Sequence, residues 1–243
     1  MGNGEPIGRS HIILKNCYYS GFTLNMSVPE TKLSEITAKV EKLRESFNAG
    51  KSLSYTWRES QLKAIKKMCT ENEPLIASAL NKDLGRGEFE AIGLELLPLY
   101  MEIDHALSSL SSWMQPELKA TPMGMAPSCS EVHRVPYGVS LIISPFNYPL
   151  NLCLGPLVGS IAAGNCTLVK PSEMTPNVEQ IIYDLLPKYL DMSCTEMVFG
   201  GITTSQNVMT LKYDKIFFTG STRVGKLIMK SKCPLSLVLF GLC

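Results

Sequence analysis

Apolar positions recur along this chain in two rhythms, and the change of rhythm divides it. From Thr31 they fall three and four apart, at Leu33, Ile36, Val40, Leu43 and Phe47. That spacing puts one apolar stripe on a helix, and Asn48-Ala49-Gly50 stops it. A second helix is predicted from about Ser54 through Leu62, Ile65, Met68 and Cys69. Pro74 suits a first helical position, and Leu75, Ile76, Ala79 and Leu80 carry the pattern to Asp83-Leu84-Gly85. A third long stripe runs through Phe89, Ile92, Leu96, Leu99, Ile103, Leu107 and Leu110 to about Trp113, and Pro98 is expected to kink it. These stripes read as helix packing, and they show no chemistry.

Between Gln115 and Pro136 four prolines (Pro116, Pro122, Pro127, Pro136) rule out helix, while Ser130 to Val135 alternates like a strand. An extended arm or hairpin is predicted over 115–135, with His133 an exposed strand residue. Beyond Pro136 short β-branched or aromatic runs alternate with helical patterns, the mark of a parallel α/β sheet. Strands are predicted at Leu141–Ser144, Thr167–Lys170, Glu196–Gly200, Ile216–Thr219 and Leu235–Phe240. The helices between them are Leu150–Gly164 (apolar enough to need burial), one opening at Thr175-Pro176, Thr203–Leu211 and one after Gly220. Residues 1–26 show no period and read as a disordered or spurious extension.

Composition narrows the class. The 243 residues are 45% hydrophobic and 19% charged with a net charge of +1. That is a globular balance, with nothing to attract nucleic acid or an anionic membrane. The eight cysteines are scattered and there are only three histidines, so no zinc pattern forms. Such cysteines read as small core residues in a reducing, cytoplasmic setting. No segment reads as a signal peptide, and no apolar run approaches the roughly 20 residues that span a bilayer.

Gly220-x-x-x-x-Gly225 follows a strand and opens a helix, a place whose free N–H groups and dipole suit a phosphate. With Lys226 it also fits a P-loop, but Leu227 stands where Ser or Thr must hold magnesium. A P-loop NTPase is therefore kept as the lesser alternative.

A wider set of motifs lies in order along the chain. These are Pro136-Tyr137-Gly138-Val139, Pro145-Phe146-Asn147-Tyr148-Pro149, Ala162-Ala163-Gly164-Asn165, Lys170-Pro171-Ser172-Glu173 and Phe218-Thr219-Gly220-Ser221. With them the chain resembles the aldehyde dehydrogenase superfamily, most closely its class 3 or fatty-aldehyde branch, from about Val28 to Lys230. The resemblance implies an α/β fold with two parts, a helical segment (27–114) and a Rossmann-like NAD(P)-binding region of about five parallel strands (136–232). It also implies oxidation of an aldehyde to a carboxylic acid, with a Cys thiolate attacking the carbonyl.

In that family the residue matching Asn147 donates its amide to the oxyanion, and those matching Lys170 and Glu173 hydrogen-bond the adenine ribose. An acid at Glu173 favours NAD over NADP, with NADP still possible. Ser144, Pro145 and Phe146 would flank the cofactor, Gly220, Ser221 and Gly225 would form the pyrophosphate turn, and Val224 would pack near the adenine. Relatives commonly form homodimers. The family's general-base Glu lies in a strand after the Gly220 helix. This chain instead has an apolar tail over 233–243 that looks unlike the family, and the domain carrying the nucleophilic Cys is expected to be absent. Cys153, the cysteine nearest Asn147 in sequence, should be a poor thiolate. The chain alone is expected to bind NAD weakly or not at all and not to turn over aldehyde. The other reading open is a non-catalytic module pairing with full-length subunits.

Overall fold

The computed structural model describes residues 28–230 and the backbone of 236–239, so the expectations for residues 1–26 and the rest of the apolar tail lie outside it. The helical segment forms α1 (Leu33–Asn48), α2 (Tyr55–Glu71) and α3 (Glu73–Leu84). Ile36, Val40 and Leu43 are buried as the spacing predicts, but Leu33 and Leu75 stay exposed.

The third stripe is not one helix. A short helix, α4 (Glu88–Ala91), runs into a π turn over Ile92–Leu96, and α5 (Leu97–Met114) follows. Pro98 has no N–H to give and its ring would strike the carbonyl four residues back, so the backbone widens before it instead of simply kinking. The extra residue of a π turn also rotates what precedes it. Phe89, predicted to face inward, is 89% exposed.

The predicted arm is a hairpin of β1 (Glu117–Lys119) and β2 (Ser130–Val132), antiparallel, with His133 exposed just past its end. The main sheet contains β3 (Val139–Ile143), β4 (Cys166–Lys170), β5 (Thr195–Met197), β6 (Lys215–Thr219) and β7 (Ser236–Leu239). All pair parallel, in the order β5-β4-β3-β6-β7. Their connections are α6 (Asn151–Ala163), α7 (Pro176–Tyr189), α8 (Ile202–Met209) and α9 (Thr222–Met229). The third strand begins one residue before its predicted start and ends at Met197, not Gly200. Beyond it the backbone of Phe199 pairs with Thr31 and leaves the sheet.

Alternation along each strand sorts the two faces. Ile142 and Val169 face α6 and α7, with α2, α3 and α5 stacked behind, while Val139, Leu141, Cys166, Leu168, Ile216 and Phe218 face α1, α8 and α9. The order of the sheet reverses between β3 and β6, and ligands of open α/β sheets bind outside the carboxyl ends of the strands at such a reversal.

Candidate functional site

Three loops leave the carboxyl ends of adjacent strands β4, β3 and β6, so the predicted residues share one edge of the sheet. The central loop follows β3. The Ser144 N–H donates to the Lys170 carbonyl at 3.0 Å, tying this loop to its neighbour. The Ser144 hydroxyl is buried and turns inward, 3.3 Å from the carbonyls of Pro145 and Pro149. Pro145 is buried and Phe146 exposed. The amide oxygen of Asn147 is buried without a partner, and no described residue accepts from its NH2 group.

Two residues that the sequence reading passed over hold this loop from behind. Gly85 ends α3 at φ 68°, a left-handed turn that suits glycine, and the next residue, Arg86, swings toward the loop. The Arg86 guanidinium donates to the Asn147 carbonyl, pairs with Glu95, and lies 4.6 Å from the centre of the Tyr148 ring. Glu95 sits on the π turn, fully buried, and accepts from the Asn151 N–H at 2.8 Å. Burial pushes its carboxyl up, against the pull of Arg86 and of the N–H groups of Asn151 and Leu150. The one signal in the sequence was an acid inside the apolar run from Ile92 to Leu99.

At the end of β4, Lys170 is 2% exposed. Its ammonium donates to Glu173 at 3.0 Å and to the Pro171 carbonyl at 3.3 Å. A second acid, Glu179 on α7, is buried behind them with one oxygen unpartnered. Burial pushes its carboxyl up to about 7, with Lys170 opposing and Glu173 adding to the rise. At the end of β6, Gly220 packs so tightly that a Cβ there would come within 2.5 Å of the Phe218 ring. The Ser221 hydroxyl caps α9 by accepting from the Val224 N–H at 3.4 Å. Val224 is partly exposed. Gly225 is buried in the first turn, and its N–H is already bonded to the Ser221 carbonyl. The Gly225 N–H is therefore committed within the helix, and of the turn that opens α9 Gly220 is buried and Ser221 exposed.

Of the remaining chemistry-bearing residues, Cys153 meets the loop after β3 only from the buried side, through a hydrogen bond with the Ser144 side chain, and His133 is elsewhere. Cys153 is buried in α6 and burial pushes its thiol up to about 12, so it is the poor thiolate its apolar surroundings predict. His133 is exposed beside Glu131, on the hairpin. Among the described residues no cluster of three His, Cys, Asp or Glu is placed to hold a metal.

Comparison with known proteins decides the lineage of this edge. Residues 21–238 match the aldehyde dehydrogenase family. The chain belongs to that family. Family membership thus extends past Lys230 into β7. Among curated relatives, mouse aldehyde dehydrogenase family 3 member B2 is 41% identical over 88% of this chain and 46% of its own length. Human aldehyde dehydrogenase family 3 member B1 is 40% identical over 83% of this chain and 44% of its own. The solved substrate-bound AldH of Staphylococcus aureus superposes with a TM-score of 0.82 at 35% identity, covering 85% of this chain and 46% of that one. GapN of Methanocaldococcus jannaschii, solved with NADP, shares the fold at a TM-score of 0.74 and 24% identity. The chain thus spans a little under half the length of these family members.

Proposed function

We propose that this chain forms the dinucleotide-holding and oxyanion-donating part of an enzyme that oxidises an aldehyde to a carboxylic acid. The observation that carries it is the shared edge. Lys170 with Glu173, Asn147, and Gly220 with Ser221 lie at the ends of three neighbouring strands beside the sheet's reversal.

The residues present fit a nicotinamide dinucleotide. Lys170 offers N–H donors and Glu173 a carboxylate acceptor, fixed 3.0 Å apart, which matches the donor and acceptor needs of a ribose diol. The carboxylate of Glu173 would face a 2′-phosphate, which favours NAD over NADP. The start of α9 presents the Gly220–Ser221 turn to a pyrophosphate. The dinucleotide supplies the two-electron acceptor. What this chain's own residues do is bind and orient it, and the Asn147 NH2 donates to the oxygen that gains negative charge as a nucleophile adds to the aldehyde. A donor of that kind contributes about 10²–10³ in rate. Five free thiols among the described residues support a reducing, cytoplasmic setting, and no described helix is long and apolar enough to cross a membrane. The exposed Leu118 of the β1–β2 hairpin offers apolar surface to a second copy, in keeping with a homodimer.

Calorimetric titration with ADP-ribose and with its 2′-phosphorylated form tests the reading. Tighter binding of ADP-ribose, lost in Lys170→Met, is expected. Equal binding by wild type and variant would sink it.

A further inference from the structure

The helical segment packs as a second layer behind the sheet, yet it sends two charged side chains through to the loop that carries Asn147. Arg86 reaches the Asn147 carbonyl from 61 residues away in sequence, and Glu95 reaches the Asn151 N–H from 56 residues away. The two then bind each other, so one ion pair closes a ring around Asn147, Tyr148 and the start of α6. Both anchors are themselves fixed. The Arg86 carbonyl accepts from the Asn81 side chain at 2.9 Å, and Glu95 sits on the π turn, a widened turn of the kind that recurs at functional sites.

The arrangement differs from a helix cap or a surface ion pair. Glu95 is fully buried, and a buried charge is costly unless it is paired and hydrogen-bonded. The protein satisfies it with the backbone of one particular loop. Asn147 needs that backing, because its amide oxygen is buried without a partner and its NH2 has no described acceptor. Nothing in the side chain's own contacts fixes its rotation, so its aim depends on the main chain beneath it.

We propose that Arg86 and Glu95 are positioning residues for Asn147: they clamp the Asn147–Asn151 backbone from the helical layer and so aim the Asn147 NH2 at the sheet's carboxyl edge. The inference rests on the oxyanion role proposed for Asn147. It predicts that the clamp governs the loop after β3 and leaves the loops after β4 and β6 untouched.

The test is made on the 243-residue chain, labelled with ¹⁵N at asparagine for side-chain NMR, and followed by amide exchange. The double variant Arg86→Met/Glu95→Gln removes the donor to Asn147, leaves no unpaired buried charge, and keeps an acceptor for the Asn151 N–H. Its expected result is broadened or merged Asn147 NH2 signals and exchange of the Asn147, Tyr148 and Asn151 amides faster by about tenfold. Amides beside Lys170 and Gly220 should keep their rates. Arg86→Lys should recover part of the Asn147 signal, because an ammonium can still donate to the carbonyl. Unchanged Asn147 signals in the double variant would overturn the proposal, and so would loosening spread equally over all three loops. If the double variant does not fold, Arg86→Lys and Glu95→Gln are read by the same two criteria. ADP-ribose titration of the wild type in the same samples keeps the two ideas apart. Failure to bind sinks the dinucleotide reading, whereas unchanged Asn147 signals sink the clamp.

Discussion

Two loops on neighbouring strands differ in where the charges beside their functional side chains are paired. Within the loop after β4 the charged contacts are local, since Lys170 is buried and its ammonium is taken by Glu173, three residues on, and by the Pro171 carbonyl beside it, while Asp83 of α3 accepts from the N–H groups of Asn177 and Val178 only where α7 begins. The loop after β3 is held from outside, by Arg86 and Glu95 on a different layer of the molecule. In the first, the side chains proposed to meet the ligand are paired by their own local sequence. The second exists in its working form only once the helical layer has docked. The Lys170–Glu173 pair, proposed to meet the dinucleotide, is therefore made by short-range contacts, and the backbone under Asn147, the proposed oxyanion donor, is held by long-range ones.

The contrast can be broken, and the largest effect is expected at the long-range clamp. Glu95→Ala leaves Arg86, mostly buried, without its partner and opens the Asn151 N–H, so it should cost about 3–5 kcal/mol in a denaturant melt. A cost below that of an ordinary surface substitution would show that the loop does not need the helical layer.

Next in size is a pH effect at the local loop. The fold raises the Glu179 carboxyl from 4.5 to about 7, so the fold favours its neutral form. The stability tied to that form is fully present below pH 4.5 and is lost as pH rises through about 7. The loss should be on the order of 3 kcal/mol by pH 8, measured as the difference in urea stability between pH 5 and pH 8. Glu179→Gln should flatten the profile, and an equally steep profile in that variant would assign the effect elsewhere.

Lys170→Met sharpens the comparison in the other direction. The apolar replacement fills the buried space, and Glu173, about a third exposed, can turn to water. Stability should change little while ADP-ribose affinity falls by about tenfold or more, the worth of one charge-assisted hydrogen bond. Ser221→Ala is the smallest change. It should cost about 1 kcal/mol as a lost N-cap, seen as a lower melting temperature.

The same contrast explains what was legible in the sequence. The Lys170–Glu173 pair, the Gly220 turn and the strands bearing them are written in contiguous residues, so spacing and motif place them. The parallel sheet and the hairpin after Gln115 follow from period and proline position for the same reason. Arg86 and Glu95 were not legible as site residues, because their role depends on a fold that brings together residues 56 and 61 apart. The π turn hid them further. It breaks the 3.6-residue period between Phe89 and Leu96, so a stripe that looked like one packed helix exposes Phe89 and buries Glu95. An acid in an apolar run near Pro98 was the remaining clue, and its partner cannot be guessed from period alone.

The measurement that tests the account most directly is an NMR titration of the ¹⁵N-labelled chain with ADP-ribose, read residue by residue so that weak binding is still localised. The account predicts saturable shifts at Lys170, Glu173, Gly220 and Ser221, smaller ones at Phe146 and Asn147, and none along α1 or the β1–β2 hairpin. No saturable shift, or shifts centred away from the carboxyl ends of β3, β4 and β6, would contradict it.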